Sequence, residues 1–130
     1  MSGNSVALDT NVAVRLLNDE PGIVLFLNTF SDLLLPVPVI GELRYGALNS
    51  SRTAENLAKL TTVLTRCNPI EADLATAETY AALRFELKKQ GTPIPENDLW
   101  IAAICVQHSL PIATFDHHFS NVNGIQIRRP

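Results

Sequence analysis

The sequence predicts an α/β fold with a central parallel sheet of four or five short strands and helices on both of its faces. Three observations predict it: short apolar runs recur along the chain, segments with helical periodicity separate them, and turn residues bound each run. Strands that alternate with helices pair in parallel, because each helix returns the chain to the edge where the previous strand began. We expect residues 1–130 to form one domain, since this length can bury a single apolar core.

The first half of the chain is predicted to contain two strands and four helices. Val6-Ala7-Leu8 is a short apolar run that stops at Asp9, and apolar residues then resume at helical spacing. Leu33-Leu34-Leu35 has the unbroken apolar character of a strand that is covered on both faces. The elements expected in order are a strand at 6–8, a helix after residue 11, a helix at 21–30 opened by Pro21, a strand at 33–35, a helix from about residue 38 and a helix at 54–64.

The second half is predicted to contain two helices followed by two strands. Pro93 and Pro95 disfavour helix, and Asn97 is a suitable N-cap for the apolar helical pattern that follows. Asp98 then lies in the first helical turn and shares a face with an apolar stripe, which is an unusual position for a charge. The elements expected in order are a short extended link at 68–70, a helix at 72–90 stopped by Gly91, the Asp98 helix, a strand at 112–114, a turn at 117–120 and a strand at 125–127.

Four carboxylates from four separate elements are predicted to meet at one edge of this sheet. Asp9 directly follows the first strand, and Asp116 follows the strand at 112–114. Glu42 and Asp98 belong to early turns of helices that can start at the same edge. In open parallel sheets the functional crevice lies outside the carboxyl ends of the strands. We therefore expect these four acids to form one pocket.

An acidic pocket of this kind predicts a divalent cation. Carboxylates about 5 Å apart repel one another by roughly 3 kcal/mol per pair at an effective dielectric constant near 20, so protons or cations must offset the repulsion. Ligands that are all oxygen suit a hard cation such as Mg²⁺ or Mn²⁺, which also accepts a phosphate oxygen. A bound cation can lower the pKa of its water and stabilise charge on phosphorus and on the leaving oxygen. The pocket therefore indicates a metal-dependent phosphodiesterase.

Composition restricts the class of protein without excluding a nucleic-acid partner. The formal charge is -3, but without the four pocket acids the chain has 10 basic and 9 acidic residues. The longest apolar run, at 99–106, is too short to span a bilayer, and residues 1–5 lack the features of a secretion signal, so we expect a cytoplasmic protein. Cys67 and Cys105 form no Cys-x-x-Cys pattern and are expected to be reduced, partly buried thiols.

Four short motifs, taken in order, resemble those of the PIN-domain ribonucleases. The resemblance covers nearly the whole chain, and at this length the sequence is most similar to the VapC toxins of bacterial type II toxin-antitoxin systems. It implies an endoribonuclease with a PIN fold. The motifs are Asp9-Thr10-Asn11 after the first strand, Val39-Ile40-Gly41-Glu42-Leu43, Asn97-Asp98 before Trp100-Ile101-Ala102-Ala103, and Thr114-x-Asp116-x-x-Phe119.

The resemblance also implies a role for each pocket acid. Asp9 and Asp98 would be the principal Mg²⁺ ligands, and Mn²⁺ would be able to substitute. Glu42 and Asp116 would complete the acidic quartet, either directly or through water. The quartet would hold the metal-activated water that hydrolyses the RNA phosphodiester bond.

Supporting residues and partners follow from the same resemblance. Thr10 and Asn11 would support the first acid by hydrogen bonds. The substrate would be single-stranded or looped RNA. A cognate VapB-type antitoxin would hold the enzyme inactive by filling the groove with its C-terminal segment. The chain would form a homodimer and a toxin-antitoxin hetero-oligomer.

Several residues near the pocket have competing interpretations. Arg15 and Arg44 are candidate RNA contacts, because each is close in sequence to a pocket acid. His117 and His118 are expected to be solvated turn residues rather than ligands. Trp100 is expected to be part of the core or a groove wall rather than a surface on which a base stacks.

The sequence leaves three rival functions open. A phospho-accepting receiver domain would need a lysine just after a late strand, whereas the lysines at 59, 88 and 89 fall inside helical segments. A haloacid-dehalogenase-type phosphatase would need an aspartate at the position of Asn11. The third alternative is a module that keeps the PIN fold for interaction and has no catalytic activity.

Overall fold

The predicted α/β fold is confirmed by the computed structural model, which describes residues 4–130. The absence of a secretion signal was predicted partly from residues 1–3, which lie outside that range. The sheet contains five parallel strands. The elements are β1 (Ser5–Leu8), α1 (Thr10–Leu17), α2 (Pro21–Leu27), β2 (Asp32–Pro36), α3 (Val37–Leu48), α4 (Thr53–Leu64), β3 (Asn68–Ile70), α5 (Leu74–Gln90), α6 (Glu96–Gln107), β4 (Ile112–Ala113), a short 3₁₀ helix (His117–Asn121) and β5 (Ile127–Arg128).

The strand order β3-β2-β1-β4-β5 places β1 at the centre of the sheet. Ala7 of β1 pairs with Leu34 of β2 on one side and with Ile112 of β4 on the other. The chain moves outward through β2 and β3, then crosses back to add β4 and β5 on the opposite side. Because parallel crossovers are right-handed, this reversal puts α5 and α6 on the face opposite to the first four helices. The carboxyl ends of β1 and β4 therefore flank the switch point where such sheets bind ligands.

The core explains why the helix that carries Asp98 is fixed in position. All four residues of β1 are buried, and α6 buries Leu99 together with the continuous run 101–105. Cys67 and Cys105 are free and buried, as predicted. Within residues 4–130 no helix is long and apolar enough to cross a membrane.

One segment that was expected to be a link is a strand. Asn68–Ile70 forms β3 and pairs with β2 from Leu34 to Pro36. It lies at the edge of the sheet, where Pro69 can be accommodated because an edge strand does not need every N–H donor. Two of its three residues are exposed, so the segment lacks the apolar run that marks a buried strand.

The predicted N-cap of α6 is wrong. The helix begins at Glu96, its N-cap residue is Pro95, and Asn97 lies inside the first turn. The Asn97 side chain instead donates a hydrogen bond to Glu42 Oε1. It therefore links two helices rather than capping its own. Other boundaries differ by a few residues: α2 ends at Leu27 rather than at residue 30, and β5 begins at Ile127 rather than at residue 125.

Candidate metal-binding active site

Asp9 is a buried carboxylate at the switch point of the sheet. It follows β1 and caps α1, where Oδ1 accepts a hydrogen bond from Thr10 N at 2.8 Å. Oδ2 accepts a second bond from Thr114 Oγ1 at 2.7 Å. Burial raises the pKa of Asp9 to about 6, and the nearby charges of Asp98 and Asp116 raise it further against the effect of the two hydrogen bonds. A bound cation would offset the free-energy cost of burying the ionised carboxylate.

Asp98 and Asp116 face each other across the pocket, and His118 joins them. Asp98 lies in the first turn of α6, and Asp116 follows β4 and caps the short 3₁₀ helix. His118 Nδ1 lies 3.0 Å from Asp116 Oδ1 and 3.5 Å from Asp98 Oδ2. Burial and the charge of Asp116 raise the pKa of Asp98, while the hydrogen bond from His118 lowers it. The two carboxylates are therefore held close enough to repel each other.

Glu42 forms the exposed rim of the same site. Its Oε1 accepts hydrogen bonds from Thr10 Oγ1 at 3.0 Å and from Asn97 Nδ2. Its charge contributes to the raised pKa of Asp98. The four predicted acids thus come together at the carboxyl edge of the sheet, three of them around the switch point and Glu42 at the rim.

Of the two predicted supporting residues, Thr10 hydrogen-bonds to Asp9 and Asn11 does not. Thr10 supports Asp9 only through its backbone N–H, because its hydroxyl is bonded to Glu42. The expected bond from Asn11 to Asp9 is replaced by a bond from Asn11 Nδ2 to Thr114 Oγ1 at 3.5 Å. Asn11 Oδ1 also accepts a bond from the backbone N–H of residue 115 at 3.3 Å. Asn11 therefore fixes the loop after β4 and reaches the acid only through Thr114.

Thr114 is a residue to which sequence analysis assigned no role. It is fully buried, and its hydroxyl donates to Asp9 Oδ2 while accepting from Asp116 N at 2.9 Å and from Asn11 Nδ2. One hydroxyl thus links the acids that follow β1 and β4. A polar residue directly after a buried strand and two positions before a predicted ligand was the signal available in the sequence.

The other residues singled out by the sequence have mixed outcomes. Arg15 is exposed, with its guanidinium 4.3 Å from the ring of Phe115 and 3.2 Å from Glu20 Oε1. Arg44 is exposed and lies two residues after Glu42, which is about 200° around the helix. Trp100 stacks on a tyrosine of α5 with ring centroids 4.0 Å apart, which supports the predicted wall role.

The donor set fits a divalent cation. Ligand atoms of Asp98, Asp116 and His118 all lie within 4.8 Å of one another. An octahedral ion with bonds of about 2.1 Å needs adjacent ligand atoms about 3 Å apart and opposite ones about 4 Å apart. Burial and neighbouring carboxylates raise the pKa values of Asp9 and Asp98, and a bound cation would counter both effects. The residues present can therefore hold a cation by their carboxylates, with the imidazole beside them.

Comparison with known proteins identifies the family of the chain. The sequence pattern of the PIN domain matches residues 6–125. The chain belongs to the PIN-domain family. This PIN-domain chain is similar to Ribonuclease VapC4 of Mycobacterium tuberculosis, with 32% identity over 70% of the chain and 72% of the relative. It is also similar to the tRNA(fMet)-specific endonuclease VapC of Shigella flexneri, with 29% identity over 92% of each protein.

Solved structures give the same result for the fold. The PIN-domain chain superposes with a TM-score of 0.91 on a chain from a structure of VapBC2 of Rickettsia felis. That structure contains a DNA fragment from the VapBC2 promoter. The two chains are 26% identical, and the match covers 96% of this chain and 98% of the other. The resemblance to VapC proteins that the four motifs predicted is confirmed.

Proposed function

We propose that this PIN-domain protein is a Mg²⁺-dependent endoribonuclease and the toxin of a type II toxin-antitoxin system. The observation that carries the proposal is the meeting of Asp9, Asp98 and Asp116 at the switch point of the sheet, with Glu42 at its rim. The names of its relatives support RNA as the substrate, since one is called a ribonuclease and another a tRNA-specific endonuclease. We further propose that residues 1–130 act as one nuclease domain in the cytoplasm.

The acids would hold the metal, and the residues around them would keep the acids in position. Asp9 and Asp98 are the proposed principal ligands for Mg²⁺, for which Mn²⁺ would substitute, and Asp116 and Glu42 would complete the quartet. When bound, the ion lowers the pKa of a water molecule and stabilises negative charge on the phosphate. Thr114 keeps the acids after β1 and β4 in register by its three hydrogen bonds.

Hydrolysis requires a water molecule to lose a proton as its oxygen bonds to phosphorus, the bond from phosphorus to a ribose oxygen to break, and that leaving oxygen to take up a proton. Glu42 is exposed and is fixed by Thr10 and Asn97, so it is suited to orient water at the open side of the site. Arg15 is suited to contact an RNA phosphate that flanks the scissile bond, because it lies six residues after Asp9 and is exposed. The proposed RNA contact of Arg44 requires the RNA strand to pass along the outer face of α3.

The proposed partner is a VapB-type antitoxin, in a hetero-oligomer that includes a toxin homodimer. A groove of about 290 Å³ begins at Glu42 and runs between α1, α3 and α4. Its lining combines apolar and small side chains with two asparagines and Glu42, which suits an amphipathic peptide segment whose end reaches the acids. Residues that line it are Val14, Leu17, Asn18, Glu42, Leu43, Gly46, Ala47 and Asn56. The similarity of the fold to VapBC2 of Rickettsia felis supports this partner class.

The groove offers a direct test of the partner. Gly46 lines the groove, and a Cβ added there would meet no atom within 4 Å, so Gly46→Leu starts a side chain in open space; thermal unfolding checks that the variant keeps its fold. We expect Gly46→Leu to weaken inhibition by the cognate antitoxin while RNA cleavage by the free protein is retained. Gly22→Leu, which also has open space around its Cβ, is the matched control on α2. Equal inhibition of both variants would rule out the groove as the antitoxin site.

The function itself is tested by cleavage of a mixed tRNA and single-stranded RNA pool. Purified protein is assayed with Mg²⁺, with Mn²⁺ and with EDTA, beside Asp98→Asn and the surface control Glu78→Gln. We expect cleavage that needs the metal, is abolished by Asp98→Asn and is unchanged by Glu78→Gln. Equal cleavage by the wild type and Asp98→Asn would identify a contaminating nuclease. A folded wild type that binds RNA without cleaving it would favour the non-catalytic interaction module.

A further inference from the structure

We propose that His118 is a metal ligand beside Asp98 and Asp116, and that its imidazole makes the site prefer Mn²⁺ to Mg²⁺. The inference rests on the proposed function, since it assigns a further residue to the same metal centre. His118 is exposed, as predicted for a turn residue, but the inference replaces the prediction that it is not a ligand.

The distances around His118 are those of a ligand set. Nδ1 lies 3.0 Å from Asp116 Oδ1 and 3.5 Å from Asp98 Oδ2. Adjacent ligands of one octahedral ion are about 3 Å apart, so an ion placed between the three atoms can contact all of them after small side-chain shifts. In the metal-free protein this nitrogen donates a hydrogen bond to the acids, so metal binding requires the neutral tautomer that carries its proton on Nε2 and presents the Nδ1 lone pair to the ion.

Backbone hydrogen bonds fix the loop that carries the half-exposed imidazole. His118 N donates to Asp116 Oδ1 at 2.9 Å, and Asp116 N in turn donates to Thr114 Oγ1 at 2.9 Å. The next residue, Phe119, is fully buried in the core and fixes the short 3₁₀ helix that carries both histidines. Side-chain placement by an anchored loop lowers the entropy lost when a ligand binds its metal.

The neighbouring histidine has a different environment. His117 Nδ1 lies 3.3 Å from Arg129 Nη2, so the ring accepts a hydrogen bond from a guanidinium. A nitrogen paired with a permanent cation is a poor metal ligand, because the same lone pair cannot serve both. The chain thus contains an adjacent histidine that serves as an internal control for His118.

The ligand type determines the preference for the ion. Mg²⁺ favours oxygen ligands and keeps several of its waters, so an imidazole adds little to its binding. Transition-metal ions accept imidazole readily, and Mn²⁺ is the member of that series that also suits carboxylates. A site with two or three carboxylates and one imidazole should therefore bind Mn²⁺ more tightly than a site built from carboxylates alone.

Metal binding to the metal-free protein tests the inference without any activity measurement. Affinity for Mn²⁺ is measured near neutral pH from the electron paramagnetic resonance signal of free Mn²⁺, and affinity for Mg²⁺ by competition. Pulsed resonance of bound Mn²⁺ then reports ¹⁴N coupling, which is a direct signature of an imidazole ligand. The proteins compared are the wild type, His118→Ala and the control His117→Ala, with thermal unfolding as a check on the fold.

We expect ¹⁴N coupling in the wild type and in His117→Ala, and its loss in His118→Ala. His118→Ala should weaken Mn²⁺ binding by about tenfold or more and change Mg²⁺ binding by less than about threefold. Absence of ¹⁴N coupling in the wild type, or equal losses for the two ions, would overturn the assignment. If metal-dependent RNA cleavage persists in that case, the proposed nuclease function stands and only the role of His118 is rejected. A ¹⁴N signal without any RNA cleavage would instead reject the nuclease function and retain His118 as a metal ligand.

Discussion

The pKa of Asp9 leads to a prediction about the metal-free protein, whose stability should fall as pH rises from about 4 to 7. The folded-state pKa is about 6, against an ordinary value of 3.8. Between these values the folded protein keeps a proton that the unfolded chain has lost, so unfolding releases a proton and higher pH favours it. The stabilisation is complete below the unfolded pKa and is lost as pH rises through the folded one.

The size of the effect follows from the shift. A difference of about two pKa units corresponds to about 3 kcal/mol at 1.36 kcal/mol per unit. For a domain of this length, about 3 kcal/mol corresponds to roughly 10 °C in Tm. Asp9 is only 4% exposed, so solvent screening reduces this value little. The contribution is a large fraction of the stability of an ordinary domain.

The variant Asp9→Asn isolates this contribution. Asparagine cannot titrate, and any loss of the hydrogen bond from Thr114 is a constant offset with pH. The difference in free energy of unfolding, wild type minus Asp9→Asn, should therefore fall by about 3 kcal/mol between about pH 4 and about pH 7.5. The measurement is urea denaturation in EDTA at several pH values, with the exposed Glu78→Gln as control. A difference that is flat, or that rises with pH, would refute the reasoning.

Three further predictions concern single residues. Asp98→Asn should raise the Tm of the metal-free protein, because burial and neighbouring acids raise the pKa of Asp98; a lowered Tm in EDTA would show instead that the carboxylate is structurally paired. Thr114→Val should destabilise the protein by about 1–3 kcal/mol and reduce RNA cleavage, since it leaves buried partners of the hydroxyl unpaired, while Thr114→Ser should restore both. Cys67 and Cys105 should not react with a thiol reagent in the native state, because burial raises their pKa values to about 11 and about 12; rapid reaction in mild alkali without unfolding would contradict this.

The acids of the site could be predicted because their positions follow from local patterns. Asp9 and Asp116 each end a short apolar run, and the direction of parallel strands brings such ends to one edge. Asp98 could be placed because two prolines precede its helix and because an acid on an apolar face stands out. These arguments need only the spacing of apolar residues along the chain and the rules of sheet topology.

The hydrogen bonds that organise the site could not be predicted in this way. Asn11 and Thr114 are 103 residues apart in sequence, and Asn97 and Glu42 are 55 apart. Their pairing depends on side-chain rotamers and on how far each helix is rotated, neither of which periodicity specifies. For the same reason Asn97 was expected to cap its own helix, whereas its side chain contacts Glu42. His118 is exposed, as expected for a turn residue, but the direction of its Nδ1 toward Asp98 and Asp116 depends on a rotamer that periodicity does not specify.

The bond between Thr114 and Asp9 joins residues 105 positions apart in the sequence. The bond forms only when β1 and β4 are paired, so a form in which these two strands have separated lacks it. A cation bound by the proposed site would therefore favour the state in which these two strands are paired. At about 1,000 times its dissociation constant, such an ion would add about 4 kcal/mol to the free energy of unfolding and would slow proteolysis of the opened form.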